Sequence, residues 1–280
     1  MSVGIKYASA DFSALELVFY RGLVGVVFAG VLARTRRVSL ATQIPMMHVW
    51  RSLVGVTSML AWFYAIAHLP IATATTLNYM SSVWVAVFLI GGVLLTGRIA
   101  DVRRQGPLVV AVLASFGGVV LMLRPTLDEN QAFAGLIGLM SGLMSALAYI
   151  QVAALGRVGE PEARTVFYFS LGATLAGGIG MLFFEMHPLN TVQALWLLPI
   201  GILAALGQLS MTRAYTRGAT MVVANLQYSG IIFAALFGLL LFGDRMPLIG
   251  WAGMATIIAS GMTATFLRAR ALPNPPAESH

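Results

Sequence analysis

Residues 77–88 read LNYMSSVWVAVF, and residues 226–237 read LQYSGIIFAALF. The two phrases share Leu, Tyr, Ala and Phe in register, 149 residues apart (226 minus 77), and each sets polar side chains into an oily run. Both the surroundings and the recurrence need an explanation.

The surroundings are lipid. A chain of 280 residues with 59% hydrophobic and 10% charged content and a mean hydropathy of +0.85 holds more apolar side chain than one soluble core can hide. Crossing roughly 30 Å of hydrocarbon takes about 20 helical residues. Apolar runs of that length are expected at 14–33, 49–68, 71–95, 107–124, 134–155, 165–184, 194–211, 219–242 and 247–267. MSVGIKYAS at the start is less than half the required length and reads as a helix stub. Pro45, Pro70, Pro107, Pro125, Pro161, Pro188 and Pro247 fall in connections or at span ends; Pro199 alone falls inside a span, where a kink is expected. Nothing alternates with the period of a barrel strand, so the expected fold is an all-α integral membrane protein.

Cysteine is absent, which removes disulfides and thiolate metal sites, and the start lacks the features of a signal peptide. The net charge of +7 is not gathered on one face, which argues against nucleic acid as a partner. Instead, 13 of the 17 Lys plus Arg occupy one set of alternate loops and termini, to which Arg34, Arg36, Arg51, Arg164 and Arg213 belong. By the positive-inside rule this set, and with it the C-terminus, is cytoplasmic, as expected of a protein of the bacterial inner membrane. The proline-rich tail 268–280 reads as disordered.

The recurrence reads as an internal repeat. FYRGL at 19 pairs with FYFSL at 167, and Gly106 with Gly117 matches Gly250 with Gly261. Residues 1–124 form one unit and 134–267 the other, with 125–133 as linker. Shifting 134–155 back by 148 places the opening of its counterpart before Met1 and its end at about residue 7, so the stub is expected to be the end of a first helix, through a late start codon or a defective nine-span variant; the late start fits the repeat better. Five helices per unit is odd, so the units enter the bilayer in opposite senses: a ten-helix inverted repeat (5+5), the architecture of secondary transporters that open a midplane site to each side in turn.

These residues also resemble a known family. FYRG with Arg21, FYAIAHLPIATAT from Phe63 to Thr75, SSVWVAVF and TGRI, then MTRAYTRGATMVVANLQY, GIIFAALF and FGDR with Asp244, are similar to the repeats of the drug/metabolite transporter superfamily, EamA type. The resemblance covers essentially the whole chain and implies a metabolite transporter. It departs from the family pattern at Ser82 and Gly230, where proline is common, and at Arg98, where glutamate is common.

Thr75, Asn78, Tyr79 and Ser82 have the spacing i, i+3, i+4, i+7 and are expected to form one polar stripe. Asn78 and Tyr79 either line a watery cavity or tie helices together; for Thr75, Ser81 and Ser82 the tie is favoured. The repeat maps Asn78 to Gln227 and Tyr79 to Tyr228, which would flank a midplane site, with Asn225 turned away on the same helix. Arg21, about 10 Å into its span, either faces the cavity as a cation for a carboxylate or snorkels or pairs with Glu16. Lys6 is a weaker candidate. Tyr149 is a candidate aromatic wall, in a helix whose Gly138, Gly142, Ser141 and Ser145 carry the four-residue spacing of close-packed membrane helices.

No HExxH and no GxxxxGK[ST] occurs, so neither a metalloenzyme nor a nucleotide-driven pump is expected, and no cofactor or metal site is read. The rival readings are an intramembrane enzyme, a channel and a non-transporting helper subunit. The expected partners are a small-molecule solute, such as an amino-acid-like or nucleoside-like compound, and the lipid bilayer, with a homodimer left open. Few acids approach a span, so facilitation or exchange is expected rather than transport through a buried carboxylate.

Overall fold

The structure is a computed structural model that describes residues 1–95, 106–128, 131–183, 187–189, 192–217, 229–244 and 246–271. Among these residues the secondary structure is helical, with no strand. The helices are α1 (Ser2–Ala8), α2 (Ala14–Thr35), α3 (Pro45–His68), α4 (Ile71–Tyr79), α5 (Ser81–Leu95), α6 (Gly106–Asp128), α7 (Ala132–Arg157), α8 (Glu162–Met181), α9 (Leu197–Arg217), α10 (Ser229–Phe237) and α11 (Leu248–Ala271). A 3₁₀ turn at Val192–Trp196 leads into α9, and a π turn at Gly238–Phe242 continues α10.

Four stretches, Ala14–Thr35, Pro45–His68, Ala132–Arg157 and Ala194–Thr216, are long and apolar enough to cross a membrane. Their outward ridges are apolar: Leu23, Val27 and Val31, four apart on α2, are each more than 40% exposed, as a lipid-facing stripe requires.

Local signals explain the ends. Ser13 and Glu16 form a capping box at the start of α2, and the Glu16 carboxylate also accepts from the backbone N–H (2.7 Å) and the ring Nδ1 (2.9 Å) of His187. Pro45 occupies the first turn of α3, where its missing N–H costs no bond. Pro199 sits in the first turn of α9 for the same reason, so the expected mid-span kink is replaced by the 3₁₀ turn just before it. The expected single span 71–95 is divided at Met80, whose N–H is shared between the carbonyls of Thr76 and Leu77.

Helices in lipid gain little from burying apolar surface against one another, so close approach of small residues must hold them. The α2–α8 pair shows it: a Cβ on Gly22 would lie 2.7 Å from the Thr174 backbone nitrogen, and one on Gly177 would lie 2.7 Å from that of Phe19. In the α6–α11 pair, Gly118 faces the Gly253 carbonyl and Ser115 Oγ meets Ser260 Oγ at 2.7 Å. The predicted small-residue stripe of α7 packs as expected. A Cβ on Gly142 would meet the Leu77 carbonyl oxygen at 2.5 Å and that of Asn78 at 3.1 Å.

At one end of the bundle the loops of the two halves are joined by charge. Thr42 Oγ1 (2.7 Å) and Arg164 NH1 (2.8 Å) donate to Glu160, while Glu162 takes Arg213 (3.1 Å) and lies 3.9 Å from Arg36. Burial pushes the Glu160 carboxyl up, but the bonds from Thr42 and Arg164 and the charge of Arg164 outweigh it and hold the group below the usual glutamate range.

Two predictions follow from these contacts. Gly142→Ala should force α7 away from α4 and lower stability by about 1–3 kcal/mol, read as a reduced melting temperature in detergent; Gly138→Ala, whose tightest contact is the flexible Leu77 Cδ1 at 3.0 Å, should cost less. Because Glu160 is depressed in the folded state, its contribution is complete above the ordinary glutamate pKa and is lost as pH falls through the lowered folded value. Melting temperature should therefore drop on acidification, and Glu160→Gln should lower it at neutral pH and flatten that drop.

Candidate functional site

A cavity of about 510 Å³ lies between α2, α3, α4, α7, α8 and α9, a size suited to a small organic ligand. It borders the residues that close packing places around it. Ser58 on α3 donates to the Ser141 carbonyl (2.9 Å) and meets Ser145 Oγ at 2.7 Å; Asn78 Nδ2 on α4 donates to Ser141 Oγ (3.0 Å) and Ser145 Oγ (3.1 Å). Asn78 is therefore both things foreseen: it ties α4 to α7 and also lines the cavity. Its carboxamide oxygen takes no partner among the described residues.

Tyr79 lines the cavity beside it, its ring filling the space over Gly230 of α10, where a Cβ would lie 2.9 Å from the hydroxyl. The other two members of the expected stripe do not join them. Ser82 lies beyond the break at Met80, where the regular helical spacing ends, and bonds back to the Tyr79 carbonyl (3.3 Å); Thr75, one turn before Asn78 on α4, is buried and is not part of the cavity lining. Tyr149, a candidate aromatic wall for which core packing is the stronger expectation from sequence, lines the cavity, stacked on Tyr215 of α9 with centroids 5.2 Å apart. Gln227, Tyr228 and Asn225 lie outside the described residues.

Arg21 faces the cavity. The alternative partner Glu16 is committed to Ser13 and His187, and the Arg21 guanidinium instead donates to Met59 Sδ (2.6 Å) and sits over the Phe169 ring, Cζ 5.6 Å from its centroid. A second cation, not foreseen as a site residue, joins it. Arg51 was expected among the loop cations because the apolar run begins at 49, but α3 starts at Pro45 and carries Arg51 one and a half turns into the bundle. Its Cζ lies 4.2 Å from the same Phe169 centroid, and its guanidinium folds back over Gly55, occupying the place a Cβ there would need. The sequence signal for Phe169 was the pairing of FYRGL with FYFSL, which sets Phe169 opposite Arg21 in the repeat.

The arginines are 6% and 3% exposed, and Arg21 Nε, Arg51 Nε and Arg51 NH1 have no hydrogen-bond partner among the described residues. No acid lines the cavity among the described residues; Gln208 adds one further amide. Lys6 is no part of this lining. Its Nζ donates to the Leu69 carbonyl (2.7 Å) near Asp244, whose carboxylate accepts from the Ile71 N–H (3.1 Å) at the start of α4. With Tyr7 stacked on Trp196 (5.5 Å), these contacts close the bundle at the end opposite the Glu160 and Glu162 cluster.

No protein-family profile matches the chain. A solved crystal structure of another protein superposes with a TM-score of 0.65 at 19% identity, over 95% of this chain and 92% of that one. The chain is 31% identical to the pseudopaline exporter of Pseudomonas aeruginosa, over 93% of its own length and 89% of the relative's. It is 28% identical to an uncharacterized transporter of Helicobacter pylori (94% and 88%) and 26% identical to the riboflavin transporter of Vibrio cholerae (91% and 84%). These named relatives are transporters, not enzymes. This apolar all-helical chain is thus an integral membrane protein that belongs to the transporter family of the pseudopaline exporter.

Proposed function

We propose that the chain is a secondary transporter of the drug/metabolite transporter superfamily, EamA type, that carries a small polar or amphipathic metabolite across the bacterial inner membrane by alternating access. The observation that carries this reading is the cavity itself. It is walled by α2, α3 and α4 on one side and by α7, α8 and α9 on the other, so both sequence repeats contribute, and it pairs amide, hydroxyl and guanidinium groups with aromatic rings. Relatives that transport pseudopaline and riboflavin support an organic solute for this chain too.

The proposed ten-helix inverted repeat, with the first helix cut to a stub, has residues 1–124 and 134–267 as its units. Supporting it, corresponding helices of the two units pack on one another, α2 on α8 and α6 on α11. The arginines assigned to the cytoplasm, Arg36, Arg164 and Arg213, meet at one end of the bundle, as the proposed orientation with a cytoplasmic C-terminus requires. In that orientation the cavity extends toward the cytoplasm, along the second half of α9, while Lys6, Leu69, Asp244 and Ile71 shut the periplasmic end.

Proteoliposomes loaded with a bacterial metabolite extract and analysed by mass spectrometry test this. A small metabolite should leave protein-containing vesicles faster than empty ones, unchanged in mass and with little dependence on an imposed pH gradient. Asn78→Ala should slow that efflux about tenfold, the effect of losing one or two hydrogen bonds. Efflux no faster than from empty vesicles would count against transport, and chemical conversion of the solute would favour an enzyme.

A further inference from the structure

The geometry points to a dianion site: Arg21 and Arg51, gathered on Phe169, bind two acidic groups of one small organic acid. The inference rests on the transport reading and specifies its substrate class.

Two cations 5.6 Å and 4.2 Å from one ring centroid are within 9.8 Å of each other (5.6 plus 4.2). Like charges at that range in a water-poor interior repel, and neither is relieved by a carboxylate among the described residues. Every described acid near the bundle is committed elsewhere. Glu16 serves Ser13 and His187, Glu160 serves Thr42 and Arg164, Glu162 serves Arg213, and Asp244 caps Ile71.

Nor do the arginines reach for the interface. Both side chains line the cavity, and three of their buried N–H groups have no hydrogen-bond partner among the described residues, so the protein leaves these donors unmatched beside it. The site is built to hold them so. Gly55 leaves room for the Arg51 guanidinium to fold back onto Phe169, in the place a Cβ would take. A single carboxylate would neutralise one cation and leave the other exposed to its neighbour, whereas a short diacid bridges the gap and neutralises both. The flanking Asn78, Tyr79 and Tyr149 then suit the rest of a polar or unsaturated solute.

The test uses the purified full chain in detergent at constant ionic strength, followed by thermal unfolding with millimolar succinate, citrate, succinamide, acetate and sulfate. Succinate or citrate should raise the melting temperature, and succinamide and acetate should not. Sulfate stabilises proteins generally, so each response is read as the difference from Arg51→Gln. Arg21→Gln and Arg51→Gln should each weaken the diacid response at least tenfold in concentration. Without ligand they should melt no lower than the parent, because each removes an unpaired buried charge; a structural role would lower it. Gly55→Ala, which keeps both arginines but displaces Arg51, should also weaken the response.

The assignment is overturned if neither diacid stabilises, if succinamide or sulfate matches the diacids in that difference, or if both arginine variants respond like the parent. Diacid binding without any flux in proteoliposomes would uphold this inference and count against transport. Flux of a neutral or cationic solute with no diacid response would do the reverse.

Discussion

Everything around the cavity depends on how closely α7 approaches α4. Leucine side chains find lipid as congenial as each other, so two helices in a membrane associate only where backbones come close enough for dispersion and polar contacts to add up. Gly142 lets the Leu77 and Asn78 carbonyls approach to within van der Waals contact of α7, and only at that distance can Asn78 reach Ser141 and Ser145. Ser58 enters the same group of hydroxyls from α3, so three helices are fixed by four short polar side chains. The amide and ring that face the cavity, Asn78 and Tyr79, inherit their positions from this contact. A cavity can persist beside it because the helices are pinned at the small residues rather than packed along their whole length.

The arginines follow the opposite logic. Placing an arginine deep in a membrane helix costs about 2.5–3.5 kcal/mol on insertion scales, while a cation over an aromatic face returns about 0.5–2 kcal/mol. Phe169 therefore offsets only part of the cost of Arg21 and Arg51, and the bond to Met59 Sδ is a weak one. The remaining deficit is carried by the close-packed pairs elsewhere, above all α2 with α8, whose glycine contacts hold Arg21 and Phe169 on facing helices. A local cost borne in this way is a mark of a site rather than of a core.

Much of the fold was legible before any coordinates, and the reason is physical. Lipid imposes one length on apolar runs, so the expected spans match the described helices to within a few residues at most ends. The polar interruption at Asn78 and Tyr79 and the charge at Arg21 were legible because lipid makes such residues conspicuous. Arg51 was not, since a cation two residues inside an apolar run looks the same as one just outside it; only the start of α3 at Pro45 places it within. Phe169 was hidden because an aromatic ring among apolar residues is unremarkable in sequence. The expected stripe failed at Ser82 because a regular 3.6-residue period was assumed across Met80, where the helix breaks. That break falls two residues before Ser82, where the resembling family commonly has proline, so here the irregularity exists without a proline beside it.

The repeat gives the site its asymmetry. Arg21 and Phe169 occupy matching places in FYRGL and FYFSL, and they meet across the α2–α8 contact. In an inverted repeat as proposed, equivalent residues of this helix pair approach each other near the pseudo-two-fold axis. Two arginines there would repel at close range, and two phenylalanines would leave nothing to recognise a polar solute. One of each resolves both difficulties: the ring from the second half becomes the surface on which the cation of the first half rests. The second cation, Arg51, then comes from the same sequence repeat as Arg21, so both arginines of the described lining lie on the adjacent helices α2 and α3. A diacid held there as proposed would meet the guanidinium groups on α2 and α3 on one hand and the aromatic pair Tyr149 and Tyr215 on α7 and α9 on the other.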